Sequence, residues 1–331
     1  MDTLQAWGIG LIVALQAFSP ALDGAMEFFS FVGSADFFTV LIPLLYWCVD
    51  AGLGARFAFL LLVGDSLGSL FKLAFHAPRP YWVDAQVKAI AAASSYGVPS
   101  GHALTSLMTW TFLARALRRG WAWGIALALI ILIALSRLYL GVHFPHDVIV
   151  GWLIGAGVLA LFWWVEPRVV AWLKRQSPGR HYLAALILPA ALLILWGATS
   201  AAIASVGDPP EWERQAGTAA PPEAGQAATD GRSASSLFTD TGVLFGAGIG
   251  MSLALRGWRF DAGGPVWKRA ARFALGIVGV FALRFGLGAI FPEEPLALVY
   301  ALRFTRYAII GLWVTGLAPW VFLKLKLAET R

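Results

Sequence analysis

The chain has 331 residues, of which 59% are hydrophobic and only 13% charged, and its mean hydropathy is +0.70; soluble domains carry roughly a quarter charged residues, so the composition excludes a water-soluble globular protein. The formal net charge of +6 sits in clusters beside apolar runs, where membrane topology accounts for it, and no nucleic-acid partner is expected. The single cysteine, Cys48, excludes an internal disulfide framework and a cysteine-based metal cluster and reads as a buried apolar filler.

Apolar runs close to the roughly 20 residues that cross a hydrocarbon core predict spans at 4–20, 35–50, 55–75, 102–117, 121–140 and 147–165, then at 182–204, 238–256, 272–291 and 298–323. The expected fold class is therefore all-α, a polytopic transmembrane helical bundle of ten spans. Ser19-Pro20 interrupts the first run, and residues 21–34 read as an amphipathic helix lying in the interface. No Lys or Arg precedes Arg56, so a cleavable signal peptide is not expected.

Lys and Arg concentrate in short cytoplasmic loops, which orients the spans. Arg115, Arg118 and Arg119 follow one run; Arg168, Lys174, Arg175 and Arg180 follow another; Arg256, Arg259, Lys268, Arg269 and Arg272 lie between two more; Lys324 and Lys326 end the last. With all of these inside, residues 205–237, rich in Pro, Gly, Ala and acidic residues, form a flexible external loop. The same assignment brings 76–101 and 141–147 to the outer face together.

Those two outer segments and the helix ends beside them carry three motifs. In the first, Lys72 and Arg79-Pro80 mark the place where an apolar helix runs into the loop. Either cation is explained by snorkelling, but together they offer a point charge and a planar fork for phosphate oxygens. In the second, Pro99-Ser100-Gly101-His102 immediately precedes an apolar run. Its backbone N–H groups form a helix N-terminus able to bind an anion. An ordinary Ser cap explains all of it except the histidine, a residue able to give or take a proton near neutral pH. In the third, Ser136-Arg137 leads to His143, and Asp147 follows four residues later across a turn at Phe144-Pro145. Asp147 is either a helix cap or the acceptor for one imidazole nitrogen, leaving the other as a nucleophile.

Lys, six residues, Arg-Pro, then Pro-Ser-Gly-His, then Ser-Arg, five residues, His, three residues, Asp is similar to the three-part signature of the type 2 phosphatidic acid phosphatase, or lipid phosphate phosphatase, superfamily. Every position of that signature is matched. The resemblance covers about residues 35–165 and implies a six-helix phosphatase core at 1–165. Residues 166–331 would form a C-terminal extension of about four further spans. It implies that His143 attacks phosphorus to give a phosphohistidine, that Asp147 orients the imidazole, and that His102 protonates the leaving alkoxide and then deprotonates water. Lys72, Arg79 and Arg137, with Ser100 and the Gly101 N–H, would bind the non-bridging oxygens. No acidic metal cluster stands among the motifs, so no cofactor is implied and turnover in chelator is expected.

The substrate implied is a lipid phosphate or diphosphate drawn from the bilayer, with membrane lipids as the surrounding partners and headgroup specificity placed in residues 81–98. The enclosing membrane reads as a bacterial inner membrane with the site on its outer face. A phosphotransferase using the same site is the near alternative, and a transporter or scaffold with a vestigial site the distant one. His76 and His146 fall beside the signature positions and read as loop residues at the entrance. Asp65 reads as a structural polar contact, and Arg284, Arg303 and Arg306 as stabilising the C-terminal bundle.

Overall fold

The computed structural model describes residues 3–219, 229–255, 257–292 and 294–330. The elements are α1 (Thr3–Gln16), α2 (Asp23–Val32), α3 (Ala35–Cys48), α4 (Ala51–Phe75), α5 (Pro80–Val83), α6 (Gly101–Leu117), α7 (Gly120–Tyr139), α8 (Pro145–Leu173), α9 (Pro178–Ala202), α10 (Pro210–Ala219), α11 (Ser235–Ala254), α12 (Val266–Ile290), α13 (Leu296–Leu312) and α14 (Ala318–Lys324). Among the described residues the β pairing is an isolated bridge, Phe260 to Thr330.

Seven helices are long and apolar enough to cross a membrane, or eight if α2 and α3, bent by 47°, make one span. The expectation of ten is corrected at three places. The run at 4–20 ends as a helix at Gln16, the run at 35–50 is the 14-residue half of that bent pair, and the run at 102–117 is a helix of 17 residues. At 1.5 Å per residue the last rises only about 26 Å against a core of about 30 Å. The four C-terminal spans stand as expected. Within 205–237, expected as a flexible loop, residues Pro210–Ala219 form α10, and residues 220–228 lie outside the described residues.

The chain divides into two compact units, one of Met1–Phe37, Leu67–Ala160 and Trp196–Ser233, the other of Phe38–Ser66, Leu161–Leu195 and Ala234–Arg331. The first is built round Ile9, Ile12, Met26, Tyr81, Trp82, Tyr96, Tyr139 and Phe144, with Trp196, Ile203 and Trp212 packed on that core. Gln16 joins α1 to two distant stretches, donating from Nε2 to the carbonyls of Lys88 (2.7 Å) and Tyr139 (3.0 Å) and accepting from the Lys88 N–H (3.0 Å). Helix α8 approaches the start of α6 through two glycines. A Cβ at Gly151 would stand 2.6 Å from the Ser100 carbonyl oxygen, and one at Gly155 2.8 Å from that of Leu104. Small residues permit such backbone contact in membrane helices.

In the second unit Gly242, Gly246 and Gly250 line the face of α11 that meets α13 and the π-helical turn Trp313–Leu317. That turn has a local cause. Pro319 has no N–H to give to the carbonyls of Thr315 or Val314. Tyr46 Oη donates to the first (3.2 Å) and Trp47 Nε1 to the second (2.8 Å). A Cβ at Gly246 would overlap the Ala308 carbonyl, whereas Gly157 on α8 has nothing within 4 Å. Gly246→Ala is expected to cost on the order of 1–3 kcal/mol by overpacking, while Gly157→Ala is neutral or mildly stabilising. Thermal unfolding in detergent checks this, and equal midpoints for the two variants would refute the close crossing.

Candidate active site

The C-terminal end of α4, the loop that follows it, the start of α6 and the turn between α7 and α8 all belong to the first unit and converge there. Lys72, in the last turn of α4, donates from Nζ to the Tyr96 carbonyl at 2.7 Å. Arg79 is 2% exposed. Its Nε donates to the Ser95 carbonyl (2.6 Å), Nη1 to the Val142 carbonyl (2.7 Å), and Nη2 to Ser95 Oγ (3.0 Å) and the Tyr96 carbonyl (3.3 Å). With most of its five N–H groups on fixed acceptors, the guanidinium is held in one orientation. Lys72 and Arg79 share one peptide oxygen, which sets their separation.

His143 follows the left-handed Gly141 (φ 77°) and is buried. Its Nδ1 lies 3.2 Å from Asp147 Oδ2, which also accepts from the Phe144 N–H at 2.8 Å. A guanidinium only donates, so the ring nitrogen that faces Arg79 is the acceptor: Nε2 carries the lone pair and Nδ1 the proton. Nε2 faces Arg79 Nη1 at 3.4 Å. Burial first, then the charges of Arg79, Lys72 and Arg137, hold this imidazole well below its usual range. It is thus neutral at neutral pH. The Asp147 carbonyl accepts from the Ser100 N–H (2.9 Å), joining the second and third motifs.

Ser100 caps α6, its Oγ accepting from the Ala103 N–H at 3.4 Å, so the cap reading holds for this residue. A Cβ built on Gly101 would lie 4.0 Å from Lys72 Cε, which places the first motif beside the second. His102 hydrogen-bonds the backbone of Ser30, and Arg137 Nη1 donates to Ser30 Oγ. The carrier of Ser30 is α2, the segment expected as an interfacial helix, here also tied to α7 by Tyr139 Oη donating to Asp23 Oδ1 (2.6 Å). Close to His143 stand three cations and one buried carboxylate, Asp147. Such an excess of positive charge in a buried site attracts a dianion.

Sequence reasoning did not single out Ser30, Ser95, Tyr96 or Asp208. The contributions of Ser95 and Tyr96 are mainly backbone oxygens, which no residue pattern announces, and Ser30 sits on a different helix 107 residues from Arg137. His76 pairs with Asp208, Nε2 to Oδ1 at 2.5 Å, and His146 stacks on Phe144 with ring centroids 5.0 Å apart. Residues 81–98, expected to set headgroup specificity, are anchored inward by Tyr81, Trp82, Val87 and Tyr96, each 2% exposed or less. In the second unit, Asp65 hydrogen-bonds Asp240. Arg303 Nη1 reaches Thr239 Oγ1 at 3.5 Å, while Arg284 and Arg306 lie over the rings of Phe285 and Tyr307. Among the described residues no group of three or more His, Cys, Asp or Glu side chains is gathered in the manner of a metal site.

The sequence profile of the PAP2 superfamily matches residues 53–171, and that of the PAP2 superfamily phosphatase transmembrane extension matches 238–330. The chain is 32% identical over 143 residues to an undecaprenyl-diphosphatase from Sulfolobus acidocaldarius, covering 41% of this chain and 67% of that protein. The chain belongs to the PAP2 superfamily. As a PAP2 protein it is a membrane-embedded phosphate-ester hydrolase. It is also 24% identical to the glucose-6-phosphatase catalytic subunit 1 of Haplochromis nubilus, over 100% of this chain and 99% of that one. To lipid phosphate phosphatase delta from Arabidopsis thaliana it is 29% identical over 50% of this chain and 45% of that protein. The PAP2 match contains all eight candidate site residues, from Lys72 to Asp147, and 172–237 lies between the two matches.

Proposed function

We propose that the chain hydrolyses a lipid phosphate or diphosphate through a phosphohistidine on His143. One observation carries this reading: Asp147 holds Nδ1, leaving a neutral Nε2 among Lys72, Arg79 and Arg137. In the first step Nε2 attacks phosphorus, the P–N bond forms as the P–O ester bond breaks, and His102, protonated once the bound phosphate dianion offsets the surrounding cations, gives its proton to the departing alkoxide. In the second, neutral His102 takes a proton from water, whose oxygen attacks phosphorus and releases His143 and inorganic phosphate. Lys72, Arg79, Arg137, Ser100 and the Gly101 N–H bind the non-bridging oxygens, because phosphoryl transfer is catalysed chiefly by positioning and charge stabilisation. Residues 1–165 form the phosphatase core and 166–331 the extension, a division supported by the two profile matches. The site faces the side of the membrane opposite the basic loops, which for a bacterial inner membrane is the periplasm.

A second reading, a water-soluble sugar phosphate as substrate, is favoured by one finding. Similarity to the glucose-6-phosphatases runs the whole length of the chain, whereas similarity to lipid phosphate phosphatase delta covers half of it. Phosphate release by detergent-purified protein in chelator, across glycerolipid, isoprenyl, sphingoid and hexose phosphates, separates the two. Release from lipids supports the first reading and release from hexose phosphate alone replaces it with the second. His102→Ala is expected to slow phosphoenzyme formation about 10²–10⁴-fold with an alkyl phosphate and far less with p-nitrophenyl phosphate, whose leaving group needs no proton. Equal losses on both substrates would remove His102 from the general-acid role.

A further inference from the structure

The stretch 196–233 belongs to the unit that holds the site, yet it falls between the two segments that match the family. Helix α10 lies within it and is not loosely attached. Ala216 is fully buried in the core shared with Tyr81, Trp82 and Tyr96. The Trp212 ring packs 6.2 Å from that of Trp82 and 5.7 Å from that of His76. Arg232 donates to the carbonyls of Ile203 (3.2 Å) and Val206, bracing the turn that leads to Asp208, and the Asp230 N–H donates to the Ser94 carbonyl (2.9 Å).

Asp208 is the point at which this stretch meets the phosphate-binding cations. Its Oδ1 accepts from Tyr96 Oη at 2.8 Å and pairs with His76 Nε2 at 2.5 Å. Each of those partners is one contact from a cation. The Tyr96 carbonyl is the acceptor shared by Lys72 Nζ and Arg79 Nη2, and the His76 N–H donates to the Lys72 carbonyl (3.1 Å) in the left-handed turn (φ 46°) that ends α4. One carboxylate oxygen therefore holds both the loop peptide that spaces the two cations and the helix end that carries one of them. Asp208 is itself 42% exposed on its side chain, so its direct ion pair adds little stability. Tyr96 is fully buried, and its phenol is oriented by that oxygen.

We infer that Asp208 is a positioning residue for phosphate binding, acting through Tyr96 and His76 to set the spacing of Lys72 and Arg79. The inference rests on the phosphate-site reading above. A rigid spacing matters because a displaced binding group costs affinity in both ground and transition states.

The test compares wild type with Asp208→Ala, Asp208→Asn, Tyr96→Phe and the double variant Asp208→Ala/Tyr96→Phe, all as full chains in detergent. Three quantities are read: KM and kcat, competitive inhibition by inorganic phosphate, and the shift of the unfolding midpoint on adding inorganic phosphate. Asp208→Ala and Tyr96→Phe are each expected to raise KM and the inhibition constant roughly three- to tenfold, part of what a charge-assisted hydrogen bond contributes, with a smaller change in kcat. Asp208→Asn keeps an acceptor for the phenol and should recover part of the loss. The double variant should lose less than the product of the singles, because both break one link. A lower midpoint without phosphate, combined with unchanged inhibition and KM, would make Asp208 merely structural and overturn the inference. If Asp208→Ala does not fold, Tyr96→Phe, which removes one oxygen, decides by the same criteria. Wild type that neither hydrolyses esters nor shifts with phosphate would refute the phosphate site itself and this inference with it. An active wild type matched by its variants refutes this inference alone.

Discussion

Replacing His143 with alanine is expected to lower kcat by about 10⁴-fold or more, since loss of a nucleophile removes the intermediate rather than weakening one contact. The same substitution should abolish an acid-labile, alkali-stable phosphoenzyme trapped by rapid quench from wild type. Asp147→Asn should retain a trace of phosphoenzyme with slow turnover, because the amide can stand where the carboxylate does without its charge. The pH dependence has a definite sign. Burial and three nearby cations hold the imidazole well below its usual range near 6.5. Protonation removes the Nε2 lone pair, so phosphoenzyme formation is lost as pH falls. That loss should begin well below pH 6.5, after correction for the substrate's own ionisation near 6. Wild-type turnover in His143→Ala, or an acid limb centred at or above 6.5 that vanishes with Asp147, would overturn the assignment.

The second large effect is expected at Arg79. Arg79→Lys keeps the charge but leaves several of four acceptors without a donor: the carbonyls of Ser95, Tyr96 and Val142 and Ser95 Oγ. A flexible ammonium with three donors does not reproduce a planar fork with five. Each buried acceptor left unpaired costs about 1–3 kcal/mol, so unfolding in detergent should show a loss of several kcal/mol. In parallel kcat/KM is expected to drop about 10²–10³-fold, as it does when one oxyanion donor is removed elsewhere. Vanadate inhibition should weaken alongside. Preserved stability and vanadate affinity in Arg79→Lys would show that the charge alone matters and that the fixed fork does not.

Parts of the site could be read in advance from local spacing. His143 and Asp147 are four apart across one turn, so the hydrogen bond between them is a local consequence of chain geometry. The Ser100 cap is local in the same way, reaching three residues to Ala103. Helix count was less legible. Apolar runs at 4–20 and 35–50 have the composition of spans, but the turn after Gln16 and the 47° bend between α2 and α3 break them. Ser19-Pro20 announced the first break, whereas hydropathy averaged along the chain does not carry the bend between α2 and α3.

By itself the sequence determined the solvent, the helical class and the four C-terminal spans, and it offered seven polar residues and one glycine on three short motifs as the candidate site. Each of these depends on composition or on spacing within a few turns, where covalent connectivity dictates who can meet. Only the tertiary structure decided that Ser30 meets His102 and Arg137, that one carbonyl at Tyr96 joins Lys72 to Arg79, and that Asp208 comes back 112 residues later to hold the Tyr96 phenol. These are contacts between backbone oxygens and single side chains far apart in the chain. They leave no periodicity to read, because packing of the whole unit brings them within hydrogen-bond distance.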